Sequence, residues 1–235
     1  GAFRSKPIES LAEEARNLAE SGAVEISLVA QDTTSYGADI YGRPRLAWLL
    51  NELLKIKSVK WWRLMYVYPE RLTKEVIEIM RSNKSVCRYL DMPLQHISDR
   101  VLKRMNRLST EKSIKEKIAE LRRAMPDIAI RTNFIVGFPG ETKEDFNRLL
   151  AFVKKTRFNN VGVFKYSKET GAPAAGFPGQ VPGDVKEERA QALISAQSRI
   201  VDVLNAELKG KRLEVLLDSP VFGRTYMDAP EIDGR

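Results

Sequence analysis

The residues able to do chemistry gather where apolar runs give way to polar or glycine-containing sequence. Gln31 and Asp32 follow the run Val24 to Ala30, Tyr68-Pro69-Glu70 follow Trp61 to Val67, Gln95 and His96 follow Arg88 to Leu94, and Tyr166-Ser167 close Val161 to Tyr166. Gln31 and Gln95 are neutral amides that donate and accept together, which suits a polar organic ligand better than a metal. Asp32 and Asp91 lack carboxylate neighbours at ligand spacing, so a loop cap for Asp32 and a structural hydrogen bond for Asp91 weigh as much as metal binding. His96, the chain's only histidine, has no evident partner that would make it a general base and reads as a binding residue. Arg131 lies inside an apolar run, where a guanidinium needs an anionic partner or a wet pocket. A ligand carboxylate satisfies it, and so does a nearby glutamate.

The fifth place is Ile130 to Thr142, IRTNFIVGFPGET. A β-branched run breaks into Gly137, Phe138, Pro139 and Gly140, and Glu141 to Glu144 opens an acidic first turn ahead of FNRLLAFVKK, so the pattern is strand, tight turn and helix. Glycine admits close backbone approach, and a helix N-terminus offers unpaired N–H groups. An ordinary strand-to-helix loop has the same pattern.

The elements that position these places follow from periodicity. Helical spacing runs from Ile8 to Ala19 and stops at Gly22, and recurs over Arg45 to Ile56, Leu72 to Met80, Asp99 to Met105, Glu111 to Met125 and from Thr142 to about Arg157. Five strand-like runs alternate with these helices. Repeated strand–helix units predict an α/β fold with a parallel sheet, and the right-handed crossover rule curls five or six of them into a partial, TIM-like barrel. Functional residues then belong at the C-terminal strand ends. Gly171 to Gly183 is dense in glycine, proline and alanine and reads as a linker, Asp184 to Leu208 as a long helix, and Leu213 to Leu217 with Val221 to Tyr226 as the start of a small β domain. The expected division is residues 1–170, 171–210 and 211–235.

Hydrophobic residues at 43% and charged residues at 30% exclude global disorder, and no apolar run reaches the length of a membrane span. A net charge of +8, from 39 basic and 31 acidic residues, is compatible with a nucleic-acid or ribosome-surface partner, although the basic residues are spread over helix faces. The single cysteine, Cys87, fits a reducing, cytoplasmic setting and cannot supply the several thiolates that hold an iron–sulfur cluster.

Five motifs taken together, LVAQDTTSYG (Leu28 to Gly37), YLDMPLQHISDRVLKRMNR (Tyr89 to Arg107), IRTNFIVGFPGET, FKYSKETGAPAA (Phe164 to Ala175) and GRTYMDAPEIDG (Gly223 to Gly234), resemble the radical S-adenosylmethionine methylthiotransferases. The resemblance covers nearly the whole chain in order. Within that family, Gln31-Asp32 and Gln95-His96-Ile97-Ser98 resemble the branch that modifies an aspartate β-carbon of a small-subunit ribosomal protein, where the tRNA-modifying branch reads QN and QSGS. The last motif is similar to a TRAM domain, which implies RNA contact.

The resemblance implies S-adenosylmethionine and two four-iron, four-sulfur clusters as cofactors, with the cofactors carrying the difficult chemistry and the protein orienting it. It also implies a cosubstrate pocket in which Gln31, Gln95, Arg131 and Asn133 are polar contacts, Gly137 to Glu141 shape the adenine side, and Phe164 or Tyr166 lines the wall. The sequence departs from the family in lacking the cysteine motif of the cluster loop. A fragment of a longer enzyme, inactive by itself, is therefore the expectation. A tRNA adenosine methylthiotransferase and a non-catalytic ribosome-binding scaffold are the alternatives.

Overall fold

Strand and helix alternate as the periodicity predicts, in an α/β fold whose computed structural model describes residues 3–233. The helices are α1 (Ile8–Glu20), α2 (Ala38–Tyr41), α3 (Leu46–Leu53), α4 (Lys74–Ser82), α5 (Asp99–Arg104), α6 (Glu111–Ala124), α7 (Lys143–Thr156) and α8 (Gly183–Leu208). The strands are β1 (Glu25–Leu28), β2 (Trp61–Leu64), β3 (Val86–Asp91), β4 (Ala129–Val136), β5 (Asn160–Lys165), β6 (Leu216–Ser219) and β7 (Phe222–Arg224). β1 to β5 form one five-stranded sheet in chain order, with β1·β2, β2·β3 and β4·β5 parallel, and β6 and β7 form an antiparallel pair. Among the described residues, no helix is long and apolar enough to cross a membrane.

Contacts divide the chain into two units. The first comprises Gly1–Asp91, Ala119–Ala129 and Leu213–Arg235. Here α1 and α3 lay Ile8, Ala15, Leu49 and Leu53 against Trp62. All four residues of β2 are buried, as expected of a parallel strand covered on both faces. One of them is charged: Arg63 donates from Nε to Glu25 (2.7 Å) and from Nη1 to the Tyr226 carbonyl (2.7 Å), with its guanidinium 4.6 Å from the Tyr89 ring centre. Arg224 of β7 reaches the other Glu25 oxygen at 2.9 Å and pairs with Asp218. The terminal hairpin is thereby fastened to β1 and β2 through one buried carboxylate.

The second unit comprises Met92–Ile118 and Ile130–Arg212. Phe134, Phe152 and Phe158 pack edge-to-face with centroids 5.6–6.4 Å apart, a favoured aromatic geometry. α7 starts on a reciprocal cap, in which the Thr142 hydroxyl accepts from Asp145 N–H while the Asp145 carboxylate accepts from Thr142 N–H. Gln197 of α8 donates to the carbonyls of Phe158 (2.9 Å) and Asn159 (3.2 Å).

The third strand differs from expectation. It spans Val86–Asp91 rather than Arg88 to Leu94, so Cys87 lies within it and not ahead of it. Pro93 has no N–H to give the ladder and restricts the residue before it, and the chain runs on beside β4 through single bonds from Met92 N–H to Arg131 and from Gln95 N–H to Asn133. The 3-10 turn Thr33–Ser35 and the short α2 occupy a stretch that periodicity left as loop. Gly234, the last residue of the fifth motif, lies outside the described residues.

Arg63→Ala strips Glu25 of a buried partner, and breaking such a pair costs about 3–5 kcal/mol. Urea unfolding monitored by tryptophan fluorescence should show that loss, whereas exposed Lys57→Ala should leave the midpoint unchanged.

Candidate functional site

β4 alternates in burial. Ile130, Thr132, Phe134 and Val136 are buried, whereas Arg131, Asn133 and Ile135 are only half-buried, as the two-residue period of a strand requires. In register with the second set stand Asn160, Gly162 and Phe164 of β5. One face of this pair therefore carries Arg131, Asn133 and Phe164, and Phe164 is 55% exposed. The Asn133 amide, oriented by its hydrogen bonds, donates to the Thr132 carbonyl (3.2 Å) and accepts from Arg131 Nη1 (3.3 Å). Gly162 makes this possible, because a Cβ there would overlap the Asn133 side chain.

Gln95 sits at the same strand as a one-residue bridge to Phe134. Its N–H donates to Asn133 (2.8 Å) and its carbonyl accepts from Ile135 N–H (2.9 Å), so both of its backbone groups are fixed while φ is held at 69°. A non-glycine residue in the left-handed region is uncommon and persists where its surroundings over-determine it. The half-buried amide of Gln95 is thus presented from a rigid backbone beside Asn133.

The turn after β4 is built around Glu141. Its carboxylate accepts from the N–H groups of Gly137 (2.6 Å) and Phe138 (3.3 Å), and Arg189 of α8 donates to it at 2.8 Å. Gly140 N–H donates to the Gly179 carbonyl, and Glu141 N–H to Phe138. The amides that sequence left open for a ligand are occupied by the protein, and the Glu141 side chain is buried beneath the turn. Burial pushes its pKa up, against the opposing pull of Arg189 and the two amides. Gly137, at φ 71°, leaves room for the Lys186 stem, whose ammonium donates to the Tyr166 carbonyl (2.9 Å). The Tyr166 ring packs edge-on to Phe138, with centroids 5.2 Å apart, and its hydroxyl is a buried polar atom without a partner among the described residues.

His96 is fully buried, and its Nδ1 accepts from Ser98 N–H (3.0 Å), which places the ring proton on Nε2, 3.8 Å from Glu141. Burial lowers its pKa to about 4. The imidazole is therefore neutral, and the approach to Glu141 is a dipolar contact and not an ion pair. Asp145 shows the reverse: burial works against its ionisation, yet hydrogen bonds from Ser98, Thr142 and Arg100 hold its pKa at about 2.

Gln31 belongs to the first unit, exposed after β1. Its neighbour Asp32 is a loop cap, accepting from Thr34 N–H (3.0 Å) and pairing with Arg71. Periodicity missed Arg189, Lys186 and Gly162. An isolated glycine inside a strand signals close approach, so Gly162 was open to discovery, whereas the two α8 cations carry no local signal.

Thiolate ligation does not fit these residues. Cys87 is the chain's only cysteine, it is buried, and burial pushes its thiol up to about 12. No group of three or more His, Cys, Asp or Glu among the described residues could hold a metal ion. Within the second unit, the groups whose chemistry suits an organic ligand are a cation, two amides and an exposed phenyl ring.

The family model for the radical SAM superfamily matches residues 1–153. A relative from Elusimicrobium minutum called ribosomal protein uS12 methylthiotransferase RimO is 53% identical over 235 residues, covering 100% of this chain and 55% of the relative. One of the same name from Geobacter sulfurreducens is 48% identical, with 100% and 54% covered. The chain spans about half the length of the curated relatives it matches. Among solved structures, coproporphyrinogen III oxidase from Escherichia coli shares the fold with a TM-score of 0.53 at 18% identity, covering 85% of this chain and 45% of that one. Elp3 from Methanocaldococcus infernus does so with a TM-score of 0.51 at 11% identity, covering 81% and 49%.

Two outcomes test this geometry. Because the unfolded chain takes up the histidine proton near pH 6.5 and folded His96 only near 4, the wild type should lose stability relative to His96→Gln as pH falls between those values. Urea unfolding at several pH values measures the difference, and Glu141, Asp145, Arg100 and Arg189 are present in both proteins. Gly162→Ala should displace the Asn133 amide while lowering stability by only about 1 kcal/mol, a change visible in the Asn133 side-chain NMR resonance.

Proposed function

The chain belongs to the radical SAM superfamily, and we propose that it is the cosubstrate-binding part of a methylthiotransferase acting on a small-subunit ribosomal protein. What carries the reading is the 53% identity to the methylthiotransferase over 235 residues, joined to one sheet face on which Arg131, Asn133 and Phe164 stand together. When bound, S-adenosylmethionine supplies a methyl group and the adenosyl fragment for radical chemistry.

The residues of this chain bind and orient it. Arg131 offers its guanidinium to the methionyl carboxylate, whose two oxygens match the planar fork of donors. Gln95 and Asn133 provide donors and acceptors for the amino group and the ribose. Phe164 and Tyr166 give the flat walls against which an adenine packs. Glu141 acts through the turn: it fixes the Gly137 and Phe138 amides and so sets the shape of the wall without touching the ligand. The cluster thiolates are not among these residues.

The target is an aspartate of the ribosomal protein, and the TRAM-like segment at the end of the chain is suited to RNA contact. The tRNA-modifying alternative is separated by the same assay. Mass analysis of the ribosomal protein and of tRNA from cells lacking the gene should show the methylthio group missing from the protein aspartate alone. In the full-length enzyme, Arg131→Ala and Gln95→Ala should each weaken S-adenosylmethionine binding by about tenfold or more, an effect of ~1.4 kcal/mol, with the far-UV circular dichroism unchanged. Unaltered affinity in both variants would remove the pocket assignment.

A further inference from the structure

The end of β2 carries a feature that the cosubstrate reading leaves unused. From Trp61 to Val67 every residue is buried except Tyr66, which is 39% exposed. Tyr66 has φ 52°, in the left-handed region. Its carbonyl accepts from Thr33 N–H (3.1 Å), beyond β1, and its N–H donates to Asp91 at the end of β3 (3.4 Å). The residues on either side are pinned as well. The Met65 carbonyl accepts from the Thr33 hydroxyl (2.6 Å), and Val67 N–H donates to the Asp91 carbonyl (2.8 Å). A tyrosine in this conformation costs free energy that glycine would not, and the structure holds it there from three strand ends. Its ring makes no aromatic or cation–π contact among the described residues, and the residue stays 39% exposed.

We propose that Tyr66 is a contact residue for the polypeptide substrate, presenting its ring at the active rim of the sheet. This rests on the function proposed above. The choice of a polypeptide over the cosubstrate follows from exposure: small-ligand pockets bury most of their ligand and line it with enclosed side chains. Tyrosine, amphipathic and with few rotors, is instead enriched at protein–protein hot spots. Asp32, next to Thr33, is already paired with Arg71, so the exposed group at the end of β2 is an aromatic ring. A ring fixed by its backbone also loses little entropy on binding.

The test uses the full-length enzyme, reconstituted and assayed on the isolated ribosomal protein by mass spectrometry. Tyr66→Gly should keep or raise the thermal midpoint, because φ 52° suits glycine. It should raise KM for the polypeptide by about tenfold and leave the KM for S-adenosylmethionine unchanged. Tyr66→Asn, which also tolerates a left-handed backbone, should repeat the KM effect as a second ring-less variant, and Tyr66→Phe should restore most of the affinity. A wild-type KM for the polypeptide in both ring-less variants, or a loss confined to S-adenosylmethionine, overturns the proposal while the functional reading stands. A wild type that modifies tRNA and leaves the protein untouched overturns both.

Discussion

A carboxylate buried without charge compensation would be costly enough to remodel whatever surrounds it, and the second unit is arranged so that Glu141 avoids this. Two backbone amides and one guanidinium converge on it. The amides come from the turn that closes β4, and the guanidinium comes from α8, 48 residues along the chain. The glycine at 137, the seat of the Lys186 stem and the neutral state of His96 are consistent with that one demand. A protonated His96 would bring a further cation to a carboxylate already paired with Arg189.

A left-handed residue lies beyond each of three consecutive strands: Tyr66 after β2, Gln95 after β3 and Gly137 after β4. All three lie on the C-terminal side of a strand, which is where parallel sheets place their functional groups. Only the third uses the residue that adopts the conformation freely. At Tyr66 and Gln95 the side chain is retained against the local preference, and such conflicts between levels of structure concentrate at functional positions.

Much of the fold was legible because its signals are local. The apolar stripe of α1, stopped by Gly22, and the β-branched run of β4 translate directly into elements, and the polar residues after each run fall where a parallel sheet sets its site. β3 was misplaced by two residues at its start because the buried pair Val86-Cys87 precedes any periodic cue, and Pro93 ends the ladder sooner than apolarity suggests. How the candidate residues are held was less legible. Glu141 has the pattern of an acidic first helical turn, a solvated position, and nothing within ten residues of it announces that Arg189 will close over it. Gln95 gave no sign of its left-handed backbone, since the bonds that impose it come from β4. Resemblance supplied the family from motif order. The geometry then placed Arg131, Asn133 and Phe164 on one face of β4 and β5 and Glu141 beneath the turn.

α8 follows a stretch dense in glycine and proline, the usual mark of a boundary at which a protein can be cut. The family model itself ends at residue 153. Yet Arg189 neutralises Glu141, and Gln197 satisfies the last carbonyls before β5. A subclone that stops in the linker would keep β1 to β5 while stranding a charge and two carbonyls in its interior, and one that stops at residue 153 would lose β5 as well. The smallest piece able to satisfy its own buried groups therefore runs past residue 197. In this unit the modular border lies well downstream of the linker that advertises it, and shuffling or insertion would be tolerated beyond α8 rather than before it.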